Sequence, residues 1–135
     1  MRKVLVDTNA FARLLLGDEK VFHSIAKADC VYMSVFVLGE LYAGFKAGKR
    51  EKANRHLLED FLQKTTVQVL TATHDTAEVF GLIKDSLRKS GKPIPINDVW
   101  ISAHALETGA ILISYDKHFL SIPGLRIWEE LALSK

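Results

Sequence analysis

Two short apolar runs, one near each end of the chain, constrain the fold more than any other feature of the sequence. Val4-Leu5-Val6 and Ile111-Leu112-Ile113 are rich in β-branched residues, and neither run alternates with polar residues. A strand without such alternation is typical of a parallel sheet, because helices cover both of its faces. We therefore expect an α/β fold in which these two runs are strands.

The chain between these runs predicts helices that alternate with further strands. Additional strands are predicted over 30–35, over 67–70 as a weaker strand suited to a sheet edge, and over 125–128. Helices are predicted over 10–16, 20–28, 37–47 and 51–64, from a Thr73 cap to about 89, and from an Asn97 cap to about 109. This order implies a parallel sheet of about five strands flanked by helices on both faces. The 135 residues show no repeat or linker, which indicates one domain.

Four of the sixteen acidic residues stand at predicted strand ends or on helices that offer them no cation. Asp7 directly follows the first apolar run, and Asp116 follows the second by three residues. Glu40 lies within a predicted helix, where the residues three and four positions further on are alanine and glycine. Asp98 falls in the first turn of another helix. These positions make the four acids candidates for a functional site.

Each of these acids also has an ordinary structural interpretation. Asp7 and Asp98 suit helix starts, where a carboxylate caps the first turn or faces the positive end of the helix dipole. Asp116 suits a turn or cap, and Glu40 would be unremarkable on a solvated helix face. The four together are more specific than any one of them, because parallel strands bring their carboxyl ends to one edge of the sheet.

Four converging carboxylates would repel one another unless a cation lay between them. Mg²⁺ is the cation that such oxygen ligands suit, with Mn²⁺ as a substitute. A metal of this kind activates water and stabilises the charge that develops on a phosphate under attack. Other site types find no support: the five histidines lack zinc-ligand spacing and are interpreted as surface or packing residues, and no phosphate-binding loop is present.

Several segments resemble PIN-domain ribonucleases of the VapC type, the toxins of type II toxin–antitoxin pairs. The resemblance is carried by Leu5-Val6-Asp7-Thr8-Asn9, by the segment from Ser34 to Leu41, and most of all by Gly91-Lys92-Pro93-Ile94-Pro95-Ile96-Asn97-Asp98-Val99-Trp100-Ile101-Ser102-Ala103. Ser114-Tyr115-Asp116-Lys117-His118-Phe119 resembles the last motif, with Ser114 where threonine is more usual. The motifs occur in the family's order and extend over nearly the whole chain.

The resemblance implies a single PIN-like domain over residues 1–135 and a metal-dependent endoribonuclease. It implies that the four acids bind the metal and carry catalysis, with Asn9 and Ser114 supporting the site. It also implies an RNA substrate, a cognate antitoxin that covers the active-site groove, and a homodimer. Since the chain has neither a signal-peptide pattern nor a run of roughly 20 apolar residues, we expect a cytoplasmic protein.

Two basic clusters are candidates for binding RNA phosphates. The first lies at a helix junction and is interpreted as a solvated face; it comprises Lys46, Lys49, Arg50, Lys52 and Arg55. The second leads towards Asp98 and comprises Lys84, Arg88, Lys89 and Lys92. Lys117 and His118 adjoin Asp116 and are further candidates for a phosphate contact.

Some interpretations stay open at the level of sequence. Trp100 lies on an outer helix face, which suits either a partner surface or packing against the preceding helix. The chain could have kept the fold as an RNA-binding module that does not cut, although all four acids are present. It could also be a nuclease of the same fold that acts on DNA.

Overall fold

A five-stranded parallel sheet forms the centre of the protein in a computed structural model, which describes residues 1–133. The strands are β1 (Lys3–Val6), β2 (Cys30–Ser34), β3 (Val67–Leu70), β4 (Ile111–Ile113) and β5 (Arg126–Ile127), in the spatial order β3-β2-β1-β4-β5. All four pairings are parallel. The predicted fold class is therefore confirmed, including the number of strands.

Helices cover the sheet on both faces. They are α1 (Thr8–Leu15), α2 (Glu19–Ala26), α3 (Val35–Ala47), α4 (Glu51–Leu62), α5 (His74–Ser90), α6 (Ile96–Thr108) and α7 (Glu129–Leu133), with a short 3₁₀ helix at Lys117–Ser121. Within residues 1–133, none of these helices is long and apolar enough to cross a membrane.

The absence of polar alternation in β1 has the predicted cause. Val4, Leu5 and Val6 are all fully buried, and successive side chains of a strand point to opposite faces, so both faces of β1 are covered. β3 differs because it is an edge strand: Gln68 is exposed and Val69 is 40% exposed. The prediction of a weaker edge strand at this position is confirmed.

The register of β1 and β4 sets the location of the candidate site. Val6 pairs with Ile113, so Asp7 and Ser114 leave the sheet side by side at its carboxyl edge. The backbone N–H of Asp7 still donates to the Ile113 carbonyl, at 3.1 Å. The polar residues that follow the two apolar runs therefore lie next to each other at the carboxyl edge of the sheet.

The helix that carries Asp98 begins differently from the prediction. Asn97 was expected to cap α6, but this is wrong: the helix starts at Ile96, Pro95 occupies the cap position, and Asn97 lies in the first turn. The fixed φ of proline suits a helix entry, and the Pro95 carbonyl accepts from the N–H groups of Asp98 (3.0 Å) and Val99 (3.3 Å). By contrast, Thr73 caps α5 as predicted, and the helix ends near the expected position, with Gly91 in a left-handed conformation at its C-cap.

Trp100 packs within the protein instead of forming an isolated outer surface. Its ring stacks on Phe80 of α5, with 3.9 Å between ring centroids, and on Phe36 of α3, with 5.2 Å. Of the two interpretations of this residue, packing against the preceding helix is therefore the correct one. The stack ties α6, and with it Asp98, to two neighbouring helices.

Candidate active site

Asp7 is the most buried acid of the site. Asp7 is only 4% exposed. Its Oδ1 accepts a hydrogen bond from the Ala10 N–H at 2.8 Å, and through this bond Asp7 caps α1. Burial raises the pKa of Asp7 to about 6, against the lowering effect of hydrogen bonds from Ser114 and Ala10. The charges of Asp98 and Asp116 raise it further, which shows that three carboxylates share this space.

Asp116 lies at the start of the 3₁₀ helix that follows β4. Its backbone N–H donates to the Ser114 hydroxyl at 2.9 Å, and Ser114 itself is buried. Burial raises the pKa of Asp7 and Ser114 contributes to lowering it, so Ser114 acts on both of the acids that follow neighbouring strands. A hydroxyl at this position therefore stabilises the turn that carries Asp116 and favours the charged form of Asp7.

His118 joins Asp98 to Asp116. Its Nε2 lies 2.6 Å from Asp98 Oδ2, and its Nδ1 lies 2.8 Å from Asp116 Oδ1. Asp98 is half-buried, and burial raises its pKa, while the hydrogen bond and charge of His118 lower it. The charges of Glu40 and Asp116 act in the same direction as burial, so Glu40 also belongs to this neighbourhood.

Glu40 reaches the site from α3. The Thr8 hydroxyl, at the first residue of α1, donates to Glu40 Oε1 at 2.5 Å. This contact joins the end of β1 to α3, which itself begins directly after β2. Glu40 is thus placed by a residue next to Asp7, although the two acids are 33 positions apart in the chain.

The four acids predicted as a site lie together at the carboxyl edge of the sheet. Ligand atoms of Asp98, Asp116 and His118 all lie within 4.8 Å of one another, which is close enough for one cation. Asp7 adds a buried carboxylate whose raised pKa reflects the cost of holding its charge there. Oxygen ligands of this number, with one nitrogen beside them, suit a divalent cation. The residues therefore fit a metal site.

The sequence analysis did not predict that Thr8 and His118 would contact the acids of the site. Thr8 follows Asp7 directly, but a threonine at a helix start gives no signal that it will bond to α3. His118 was considered for a phosphate contact, yet it contacts two acids, because the 3₁₀ turn folds it back over Asp116. Asn9 is exposed beside Asp116, while the hydrogen bonds to the Asp7 side chain come from Ala10 and Ser114.

The basic residues that are candidates for binding RNA differ in whether they are paired with a carboxylate. Arg88 and Lys89 both pair with Asp85 on α5, and Lys84 and Arg88 line a groove of about 520 Å³ with Ile94. Lys92 and Lys117 are exposed. In the first cluster, Lys46 pairs with Glu51 and Arg55 lies over the Tyr42 ring. That pairing agrees with the interpretation of the first cluster as a solvated face.

Fold and site together define a class: an α/β protein with acids gathered at the carboxyl edge of a parallel sheet, arranged to hold a cation. The PIN domain family model matches residues 4–125. Ribonuclease VapC2 of Haemophilus influenzae is 36% identical over 118 residues, which span 84% of this chain and 86% of that protein. The chain therefore belongs to the PIN-domain family and, within it, to the VapC group.

Solved structures agree with this assignment. VapBC-1 from nontypeable Haemophilus influenzae matches with a TM-score of 0.82 at 26% identity, over 93% of this chain and 96% of that chain. VapBC2 from Rickettsia felis, solved bound to a DNA fragment from its promoter, matches with a TM-score of 0.83 at 24% identity, over 93% and 97%. The second likeness supports the fold.

Proposed function

We propose that this protein is a Mg²⁺-dependent endoribonuclease and the toxin of a toxin–antitoxin pair, acting as one PIN domain over residues 1–135. The observation that carries the proposal is the meeting of Asp7, Asp98 and Asp116, with Glu40 beside Asp98, at one edge of the sheet. The names of the relatives, which are ribonucleases, support the choice of RNA as substrate.

The four acids would hold the cation, and Mn²⁺ would substitute for Mg²⁺. The bound cation supplies a water of lowered pKa and positive charge opposite the phosphate. Ser114 and Thr8 hold Asp7 and Glu40 in place, and His118 holds Asp98 and Asp116. Attack of that water on phosphorus would break the bond from phosphorus to the 3′ oxygen and leave a 5′-phosphate and a 3′-hydroxyl. Asp98 or Asp116 would orient the water.

RNA would approach along basic residues on the side of Asp98 and Asp116. Lys84, Arg88 and Lys92 lie on or just after the last turns of α5, ahead of the segment that leads to Asp98, and Lys117 adjoins Asp116. Single cations of this kind bind backbone phosphates without reading the bases. We assign these four residues to substrate binding on this basis.

A cognate antitoxin would hold the enzyme inactive by covering the acidic site. The similar structures from Haemophilus influenzae and Rickettsia felis are named as VapBC assemblies, which supports such a partner. A homodimer, which the family resemblance implies, and a cytoplasmic location, expected from the lack of a signal-peptide pattern and of a long apolar run, complete the proposal.

The decisive experiment is cleavage of a cellular RNA pool by purified protein with Mg²⁺, with Mn²⁺ and with EDTA. Asp7→Asn removes one proposed ligand and keeps the cap on α1, because asparagine caps helices as well as aspartate does. Glu59→Gln is the matched control, since Glu59 is exposed on α4. Discrete products that need both metal and Asp7, but not Glu59, would establish the nuclease.

Other outcomes would redirect the assignment. Full metal-dependent activity of the Asp7→Asn protein would exclude the proposed site. Cleavage of single-stranded DNA but not of RNA of matched sequence would indicate a DNA-directed nuclease. Neither cleavage nor metal binding by calorimetry at neutral pH would indicate an RNA-binding module that does not cut.

A further inference from the structure

A pocket of about 420 Å³ with a mixed polar and apolar lining opens beside Asp116, on the side of α1. It is lined by Asn9, Ala12, Arg13, Leu16, Tyr115, Asp116 and Lys117. We propose that this pocket is a subsite for the RNA backbone, in which Arg13 and Lys117 bind the phosphate of a nucleotide next to the cleaved bond. The inference rests on the proposed function and extends it to Arg13, which neither the motifs nor the acid cluster includes, and to a defined position for Lys117.

Arg13 is held in a fixed orientation before any ligand arrives. Its guanidinium carbon lies 4.5 Å from the centroid of the Tyr115 ring, so the planar group rests on the aromatic face. Tyr115 is fixed in turn: its hydroxyl donates to Asp18 Oδ2 at 2.8 Å, and its ring contacts the buried Trp128 edge-to-face at 5.1 Å between centroids. An exposed arginine that is anchored in this way loses less conformational entropy on binding an anion.

Arg13 and Lys117 are the two cations that line this pocket together with Asp116. Neither makes a salt bridge among residues 1–133, whereas Lys46, Arg88 and Lys89 are each paired with a carboxylate. Hydrogen bonds, one of them from the Tyr115 hydroxyl, lower the pKa of Asp18, and the charge of Arg13 contributes to this lowering. Arg13 and Lys117 are both exposed and line the same pocket, so their N–H donors remain available to a ligand. The planar guanidinium can hold two phosphate oxygens at once, and the ammonium adds a point charge.

The negative charge of the site explains why Arg13 and Lys117 would help RNA to bind. The carboxylates repel the phosphodiester backbone that they must act on, except at the position of the cation. Two exposed cations in the same pocket as Asp116 offset this repulsion on one side, which directs the strand into the site along α1. The exposed side chain of Leu16, together with Ala12, offers an apolar surface for the ribose or base of the same nucleotide.

The test measures RNA affinity as a function of salt. An Asp7→Asn background prevents cleavage, and the probe is a short fluorescently labelled single-stranded RNA of mixed sequence, titrated with Mg²⁺ at several KCl concentrations. Arg13→Gln and Lys117→Gln should each weaken binding roughly three- to tenfold and reduce the slope of log affinity against log salt by about 0.7, the value for one lost phosphate contact on a single strand.

Two further variants separate the proposed contact from general effects of charge and folding. Lys27→Gln removes one positive charge just before β2, at the opposite edge of the sheet, and should leave both affinity and slope unchanged. Arg13→Lys keeps the charge but not the planar group on Tyr115, so it should keep the slope and still lose affinity. Urea unfolding of each variant identifies any loss that comes from instability.

The possible results distinguish this subsite from the nuclease itself. If the parent binds RNA and both glutamine variants keep its slope, the subsite is wrong and the proposed function stands. If Lys27→Gln lowers the slope as much as they do, binding is a general effect of charge and the subsite is again wrong. If the parent binds no RNA while its melting transition is intact, the proposed function fails, and the subsite fails with it.

Discussion

The imidazole of His118 lies between two carboxylates that come from different parts of the chain, 2.6 Å from Asp98 and 2.8 Å from Asp116. Asp98 lies in the first turn of α6 and Asp116 caps the 3₁₀ helix after β4, so this one side chain bridges two elements at the acidic edge. In the metal-free protein, His118 therefore separates the carboxylates of Asp98 and Asp116, which would otherwise repel each other. A metal bound by the same carboxylates would take over that role.

Replacement of His118 by alanine should therefore destabilise the metal-free protein more than the metal-bound one. The substitution removes the hydrogen bond of the ring to Asp98 and the close contact of the ring with Asp116 in a partly exposed position, which should lower the free energy of unfolding by about 1–2 kcal/mol. Saturating Mg²⁺ should reduce the difference from wild type, since the cation compensates the same charges. Urea unfolding with EDTA and with Mg²⁺ measures both values, and an equal difference in the two conditions would contradict this account.

Thr8 should affect catalysis through Glu40. Thr8→Val keeps the shape of the side chain but removes the donor to Glu40 Oε1, so the carboxylate loses its fixed orientation. Partners of this kind contribute about tenfold or more to metal affinity or activity. We expect RNA cleavage by Thr8→Val to be about tenfold slower, with the loss recovered in part at high metal concentration.

Thr8→Ser is the matched control, because it keeps the hydroxyl and should cleave at nearly the wild-type rate. Equal rates for the valine and serine variants would show that the hydrogen bond to Glu40 has no role in the reaction.

How much of this could be predicted depends on the range of the interactions involved. Asp7 and Asp116 could be placed at one edge because apolar runs without alternation identify parallel strands, and a strand's end is a local property of the sequence. The start of α6 was misjudged at Asn97, since a helix capped by Pro95 and a helix capped by Asn97 begin only two residues apart. The roles of His118 and Thr8 could not be predicted, because their partners, Asp98 and Glu40, lie on helices that are distant in the sequence. Local sequence patterns do not show how such helices pack.

Trp100 illustrates the same limit and leads to a prediction on stability. Its period on α6 placed it on an outer face, yet Phe36 and Phe80 cover that face. Trp100→Ala should lower the free energy of unfolding by about 3 kcal/mol, as truncation of a large packed aromatic does. Leu82→Ala, on α5 and 73% exposed, should change it by less than about 0.5 kcal/mol. Chemical unfolding monitored by circular dichroism compares the two, and similar values would show that the stack contributes little.

Asp7 should make the stability of the metal-free protein depend on pH in an unusual direction. Its pKa is raised to about 6 in the folded state from 3.8, so between these values the folded protein binds the proton that the unfolded chain has released. Stability from this group therefore falls as pH rises from about 4 through 6, and the full penalty, about 3 kcal/mol, is present above that range. A salt-bridged aspartate has the opposite effect, because its lowered pKa makes the folded protein more stable as pH rises.

Asp7→Asn should consequently stabilise the metal-free protein at pH 8 by up to about 3 kcal/mol, and by about a third of that at pH 4.5. The cap on α1 survives the substitution, so the difference reports the buried charge. Saturating Mg²⁺ at pH 8 should reverse the order, because only the wild-type protein gains the full energy of metal binding. Urea unfolding in EDTA across this pH range gives the answer: an asparagine variant that is less stable than wild type at pH 8 would mean that Asp7 is not under electrostatic strain without metal.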